Sequence, residues 1–192
     1  HMKLVFIRHA DPDYANDSLT DLGHTQARLL AETLLTMPID AFYLSPRGRA
    51  QLTAVYTLER RGEHGTTLDW LAELHGLYAP GAVAWDLHPA DLLAADAAPA
   101  LASWPVQVVY GEHLSAVLEP FYQSWDDFMA GLGYVRDGLL YRIDAPSEAT
   151  LAFFCHAGVT LSLLAHLLHI APPLVYAHFG CDPSSVTILE SD

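Results

Sequence analysis

Two short runs, Lys3 to Ile7 and Thr150 to Phe154, are apolar almost throughout, and each is followed by a histidine two residues later. Continuous apolar runs with β-branched and aromatic members belong to strands covered on both faces, as in a parallel sheet. Ligands of open α/β sheets bind just beyond the carboxyl ends of such strands. The pattern therefore predicts a buried sheet with Arg8-His9 and His156 at one edge, where the two histidines can meet.

The intervening chain alternates strand and helix signals. Thr20 offers an N-cap, Asp21 suits the positive end of a helix dipole, and Leu22, Leu29, Leu30 and Leu34 predict a helix to about Thr36. Ala41 to Leu44 reads as a second strand, and Ser45-Pro46 as an N-cap with proline at the first helical position, opening a helix to about Arg60. Thr66 to Leu71 is a third strand candidate, a helix from Val159 to His169 follows the fourth strand, and Val186 to Leu189 is a last strand at an edge. This alternation predicts an α/β fold, a three-layer sandwich around a mainly parallel sheet. Between Ala79 and Asp144 the pattern changes: prolines 80, 89, 99 and 105, an alanine-rich stretch from Ala90 to Ala102, and the helical spacing of Leu114, Leu118, Phe121, Trp125 and Phe128 suggest a mostly helical inserted cap. One domain over residues 2–192 carrying that insertion is the expectation; His1 ahead of Met2 reads as a tag remnant.

Composition narrows the function. Hydrophobic residues make up 52% of 192 and charged ones 17%, enough for a core and incompatible with disorder. The formal charge of -14 repels nucleic acid and anionic lipid, so neither is an expected partner. Cys155 and Cys181 make no disulfide framework, no secretory leader is evident, and the cytoplasm is the expected compartment. The apolar stretch Leu151 to Ile170 has the length of a membrane span, but His156, His166, His169 and Gly158 within it predict a buried strand and a core helix.

With Lys3 and eight arginines as the only basic side chains, a site for an anion must gather arginines locally. Ser45-Pro46-Arg47-Gly48-Arg49 places two of them in the first turn of a predicted helix, where the dipole disfavours cations unless an anion is near. Two residues apart on a helix, Arg47 and Arg49 point to nearly opposite sides, and only one can face a given pocket. Cys155 and His156 are neighbours on an extended segment, so they face apart and form no nucleophile and base pair. His166 and His169 share a helix face but lack further ligands at metal spacing. The aromatic side chains Trp85, Trp104, Tyr110, Tyr122, Trp125 and Tyr134 either pack a helical subdomain or line a pocket for an apolar leaving group.

These residues resemble the histidine phosphatase, or phosphoglycerate-mutase-like, superfamily over most of the chain. Its Arg-His-Gly is similar to Arg8-His9-Ala10, its Leu-Thr-x-x-Gly-x-x-Gln-Ala to Leu19 through Ala27, its Ser-x-x-x-Arg-Ala-x-x-Thr-Ala to Ser45 through Ala54, and its late His-Gly-Gly to His156-Ala157-Gly158. Leu71 to Gly76 is similar to the segment that supplies the family's acidic residue. The first and last motifs also look like a bacterial branch of stand-alone phosphatases.

The resemblance implies a metal-independent phosphatase that needs no cofactor and hydrolyses a small phosphorylated metabolite through a phosphohistidine. It makes His9 the nucleophile, Arg8, Arg49 and His156 the phosphate pocket, and Glu73 the proton donor, with Arg47 at the surface. The chemistry suits these types. An imidazole attacks phosphorus through an unprotonated nitrogen and needs an acceptor for its other one, while positioned arginines meet the charge on the equatorial oxygens. Ala10 and Ala157 stand where the family has glycine, so a methyl narrows the pocket or bars a positive φ. The alternatives are a phospho-ligand binding or sensing protein that has lost turnover, and a mutase-type phosphotransferase; Asp11-Pro12-Asp13 after the first motif departs from the mutase pattern.

Overall fold

In the computed structural model, which describes residues 1–92 and 98–191, the elements run in chain order as follows. The strands β1 (Lys3–Arg8), β2 (Pro12–Asp13) and β3 (Ser18–Leu19) lead to helix α1 (Asp21–Leu35), β4 (Ala41–Leu44), α2 (Gly48–Arg61) and β5 (Gly65–Thr67). Then come β6 (Leu77–Ala79), β7 (Ala82–Val83), α3 (Pro89–Leu92), α4 (Trp104–Gln107), α5 (Gly111–Gly131), β8 (Tyr134–Asp137) and β9 (Leu140–Ile143). The chain closes with β10 (Thr150–Cys155), α6 (Ala157–Leu168), α7 (Pro172–His178) and β11 (Val186–Glu190). It divides into two compact units: His1–Glu73 with Ser147–Thr160 and the segment from Cys181 onward, and Leu74–Pro146 with Leu161–Gly180.

The first unit is built on a five-stranded sheet in the order β11-β1-β10-β4-β5. The pairs β1 with β10, β10 with β4 and β4 with β5 are parallel, and β11 runs antiparallel at the edge beside β1. This is the expected α/β fold with a mainly parallel sheet. The two apolar runs are its most buried strands: every residue of β10 and four of the six in β1 are buried. One face presents Val5, Ile7, Phe42, Leu44, Ala152 and Phe154 to Leu30 and Leu34 of α1 and Ala54 of α2. Burying the Val, Ile, Leu and Phe side chains among these stabilises the fold by about 1.5–3 kcal/mol each. On the other face Phe153 stacks between Phe6 and Tyr43, with ring centroids 5.3 and 5.2 Å away.

Thr20 caps α1 as predicted, accepting the Gly23 N–H at 3.0 Å. Two local expectations are corrected. The Thr66 to Leu71 strand pairs with β4 only through Gly65–Thr67, and Asp69–Leu71 is a turn of 3-10 helix. The ladder ends with the Leu68 N–H on the Leu44 carbonyl, after which Leu71 N–H turns back to the Leu68 carbonyl. Helix α2 starts at Gly48 with Arg47, not Ser45, in the N-cap position.

The second unit holds the 21-residue α5, on which Leu114, Leu118, Phe121, Trp125 and Met129 are buried. Trp104, Tyr110, Trp125 and Tyr134 are core residues. Helical spacing did not reveal two hairpins here, β6–β7 turning through Gly81 and β8–β9 through Gly138, both glycines at positive φ. Of the alanine-rich stretch from Ala90 to Ala102, residues 93–97 lie outside the described residues. The Leu151 to Ile170 stretch is β10 followed by α6, and among the described residues no helix is long and apolar enough to cross a membrane.

Candidate active site

Strand register builds the site. Arg8 pairs with Cys155 across β1 and β10, and Phe154 pairs with Leu44 across β10 and β4. The next residues, His9, His156 and Ser45, therefore leave the sheet side by side at its carboxyl edge. Backbone bonds extend the register one step further: His9 N–H reaches the Cys155 carbonyl at 3.0 Å and Ser45 N–H the Phe154 carbonyl at 2.9 Å. The His9 and His156 rings meet edge to face with centroids 5.2 Å apart.

The His9 side chain is fully buried, and its Nδ1 lies 2.8 Å from the Ala10 carbonyl oxygen. A carbonyl only accepts, so Nδ1 carries the hydrogen and Nε2 keeps its lone pair. Burial, reinforced by the cations of Arg8 and Arg49, lowers the His9 pKa to about 4, so the imidazole is neutral at pH 7. The unprotonated nitrogen that phosphorus chemistry needs is present without a separate base.

His156 is also fully buried, its Nε2 2.7 Å from Ser45 Oγ, while its Nδ1 is buried with no hydrogen-bond partner among the described residues. Burial first, then Arg49, His9, Arg47 and Arg8, push its pKa down to about 2. Arg8 donates through Nη1 to the Cys181 carbonyl at 2.5 Å, leaving Nε buried with no hydrogen-bond partner among the described residues. Arg49 has a side chain only 12% exposed, lies 5.3 Å from the Tyr14 ring centroid, and likewise leaves its Nε buried without a partner among the described residues. Arg47 is exposed as expected, but for another reason than helix spacing: it stands outside α2, at the extended N-cap position before Gly48.

Both carboxylate oxygens of Glu73 accept backbone N–H groups from the first turn of α6, Gly158 at 3.1 Å and Val159 at 3.2 Å. The sequence-predicted residues Arg8, His9, Arg49, Glu73 and His156 thus all belong to the first unit. Arg8, His9, Arg49 and His156 are close enough for the two arginines to depress both histidines.

Asp17 and Ser45 were not read as site residues. Asp17, in the left-handed region at φ 46°, accepts the Gly48 N–H at 2.7 Å and the Arg49 guanidinium at 2.7 Å. It supplies the anion that the arginine-rich helix start demanded, and takes over the cap assigned to Ser45. Gly48 permits this, because a Cβ there would sit 2.2 Å from the Asp17 carbonyl oxygen. The Leu19 to Ala27 motif also has a structural role: Gln26 Oε1 accepts the Asp11 N–H at 2.7 Å, and Gly23 leaves room for the Asp11 backbone, so the motif clamps the loop behind His9. Thr53 Oγ1 holds the Ala10 N–H at 3.0 Å.

Ala10 and Ala157 are both absent from the residues with positive φ, so neither methyl forces strain on the backbone. Cys155 is a buried thiol pushed up to about 12 by burial, consistent with its reading as core. His166 donates through Nε2 to the Asp126 carboxylate at 2.9 Å and stacks on Tyr122, and among the described residues no group of three or more His, Cys, Asp or Glu could hold a metal ion.

The sequence profile of the histidine phosphatase superfamily (branch 1) matches residues 4–192. A putative phosphoserine phosphatase 2 of Hydrogenobacter thermophilus is 39% identical over 62 residues, which cover 28% of this chain and 30% of that protein. The crystal structure of a phosphoserine phosphatase from Entamoeba histolytica, in complex with 3-phosphoglyceric acid, has a similar fold: TM-score 0.65 at 16% identity, over 98% of this chain and 90% of the other. A mycobacterial glucosyl-3-phosphoglycerate phosphatase in complex with inorganic phosphate aligns with TM-score 0.57 at 25% identity, over 98% and 89%.

Proposed function

The chain belongs to the histidine phosphatase superfamily, branch 1, and from that premise we propose that it hydrolyses a small phosphomonoester through a phosphoryl group carried on His9. One observation supports this above the rest: Arg8 Nε, Arg49 Nε and His156 Nδ1 are buried with no acceptor among the described residues, on side chains that neighbour the neutral His9 imidazole. Buried donors without acceptors are costly, and a phosphoryl group supplies oxygens for all three.

In this reading His9 Nε2 attacks phosphorus and the ester P–O bond breaks. The leaving oxygen takes a proton from Glu73. Water then attacks phosphorus and gives a proton to Glu73, a new P–O bond forms as the P–N bond breaks and its electron pair returns to His9 Nε2, and inorganic phosphate leaves. The charge on the equatorial oxygens is met by Arg8, Arg49 and His156, so the reaction is proposed to need no metal ion. The unstrained backbone at Ala10 and Ala157 supports turnover over mere binding, and the names of the relatives point to substrates such as phosphoserine or glycerate phosphates. Segment 79–144 is proposed as the insertion that sets specificity, and a cytoplasmic location belongs to the same reading.

The test is hydrolysis of phosphoserine, 3-phosphoglycerate and nitrophenyl phosphate with chelator present, with acid-free quenching to trap phosphohistidine. His9→Ala is expected to abolish both label and turnover. Unchanged hydrolysis by that variant would rule out His9 as nucleophile.

A further inference from the structure

We propose that Ser45 is a positioning residue that sets the tautomer of His156, keeping a hydrogen on the buried Nδ1 as a ready donor to an oxyanion. Its catalytic meaning rests on the function proposed above; the tautomer itself does not.

The hydrogens available to this pair fix the direction of the bond between them. Ser45 and His156 are both fully buried, and Ser45 Oγ lies 2.7 Å from His156 Nε2. The same oxygen accepts the Arg47 backbone N–H at 3.2 Å. A hydroxyl has one hydrogen to give and two lone pairs to share. Among the described residues the only acceptor within reach of that hydrogen is His156 Nε2. If Nε2 carried the hydrogen instead, Oγ would accept twice and its own hydrogen would stay buried without a partner. Ser45 therefore donates, Nε2 accepts, and the single hydrogen of a neutral imidazole must sit on Nδ1. Neutrality is secured by burial and by the cations of Arg49, Arg47 and Arg8.

This tautomer decides what an arriving anion meets. With the hydrogen on Nδ1, His156 offers N–H; with the hydrogen on Nε2, Nδ1 would offer a lone pair, which repels an oxyanion. The neighbouring His9 is also a Nδ1–H tautomer, but its hydrogen is committed to the Ala10 carbonyl. The serine thus gives two adjacent neutral histidines different tasks: His9 keeps a lone pair to attack with, and His156 keeps a hydrogen to donate. Because Ser45 sits after β4 and His156 after β10, the pairing depends on the register of those strands.

The experiment is long-range 1H–15N correlation on the full chain with 15N-labelled histidine, with the His156 signals told apart from those of His9, the other buried Nδ1–H imidazole, by their persistence in His9→Gln and their loss in His156→Gln. The parent protein is expected to show His156 with a protonated Nδ1 and an unprotonated Nε2. Ser45→Ala should shift it toward the other tautomer and weaken inhibition by inorganic phosphate about tenfold; Ser45→Thr, which keeps the hydroxyl, should restore both. A parent spectrum with the hydrogen on Nε2 overturns the proposal, as does Ser45→Ala that leaves tautomer and phosphate inhibition unchanged. If Ser45→Ala fails to fold, the parent spectrum alone decides. A spectrum as expected in a protein that hydrolyses no phosphate ester would sink the proposed function and leave the tautomer assignment standing.

Discussion

The carboxylate of Asp17 holds the Arg49 guanidinium at 2.7 Å, so the arginine assigned to phosphate already carries an anion supplied by its own chain. The same carboxylate caps α2 through Gly48, which joins helix stability and anion binding in one side chain. Burial opposes ionisation of Asp17, but the Gly48 amide and the Arg49 guanidinium outweigh it and hold the carboxyl below its usual range.

Replacing Asp17 by Asn removes the competing charge while keeping an oxygen for the Gly48 amide. Inhibition by inorganic phosphate is expected to tighten severalfold, read from steady-state kinetics. Stability at pH 7 should fall by about 1 kcal/mol or less, because the Asp17 side chain is 41% exposed and its ion pair is screened. A carboxyl with a lowered folded-state pKa stabilises above its unfolded value and loses that contribution as pH falls. The difference in Tm between parent and Asp17→Asn should therefore narrow once pH drops below 3.8. A gap that widens on acidification contradicts this account.

Arg49 and Arg47 separate by burial. Arg49→Ala is expected to weaken phosphate inhibition by about tenfold or more, since charge-assisted bonds to a buried guanidinium are lost. Arg47→Ala, at an exposed position, should change it by no more than about twofold. Part of the Arg49 loss should be recovered in the double variant with Asp17→Asn, which no longer leaves a lone carboxylate in the site. Equal effects of the two arginines would remove Arg49 from the phosphate pocket.

Glu73 is tested by the leaving group. An alkyl phosphate releases a basic alkoxide that needs a proton, whereas nitrophenolate departs without one. Glu73→Gln should slow phosphorylation by alkyl esters by about 10²–10⁴-fold and by nitrophenyl phosphate far less, measured as burst rates. Because Glu73 also anchors the Gly158 and Val159 amides, equal slowing with both esters would identify it as a positioning group instead.

The two buried histidines make the fold acid-sensitive. Both have folded-state values below the ordinary 6.5, His9 at about 4 and His156 at about 2. Between 6.5 and those values the unfolded chain binds the extra protons, so stability is complete above 6.5 and declines as pH falls. Each histidine should cost about 2 kcal/mol between pH 7 and pH 5. Urea unfolding at the two pH values measures it, and His9→Gln should remove roughly half of the decline. A parent protein equally stable at both would show that the histidines are not buried as neutral groups.

Much of the first unit was legible because its signals are local. The apolar runs of β1 and β10, the Thr20 cap of α1 and the edge strand β11 each depend on residues a few positions apart. The positions of Arg8, His9 and His156 followed from those strands, since a parallel sheet collects its strand ends at one edge. Arg49 and Glu73 needed the resemblance, because helix spacing left Arg47 as an equal candidate and no periodicity marks Glu73. What only the tertiary structure decided are bonds between distant parts of the chain. Ser45-Pro46 carries a valid local cap signal, yet Ser45 bonds His156, 111 residues away, because β4 and β10 are neighbours in the sheet. The cap of α2 comes instead from Asp17, 31 residues before Gly48. A local propensity worth about 1 kcal/mol yields when sheet register offers a buried polar group a partner whose loss would cost more.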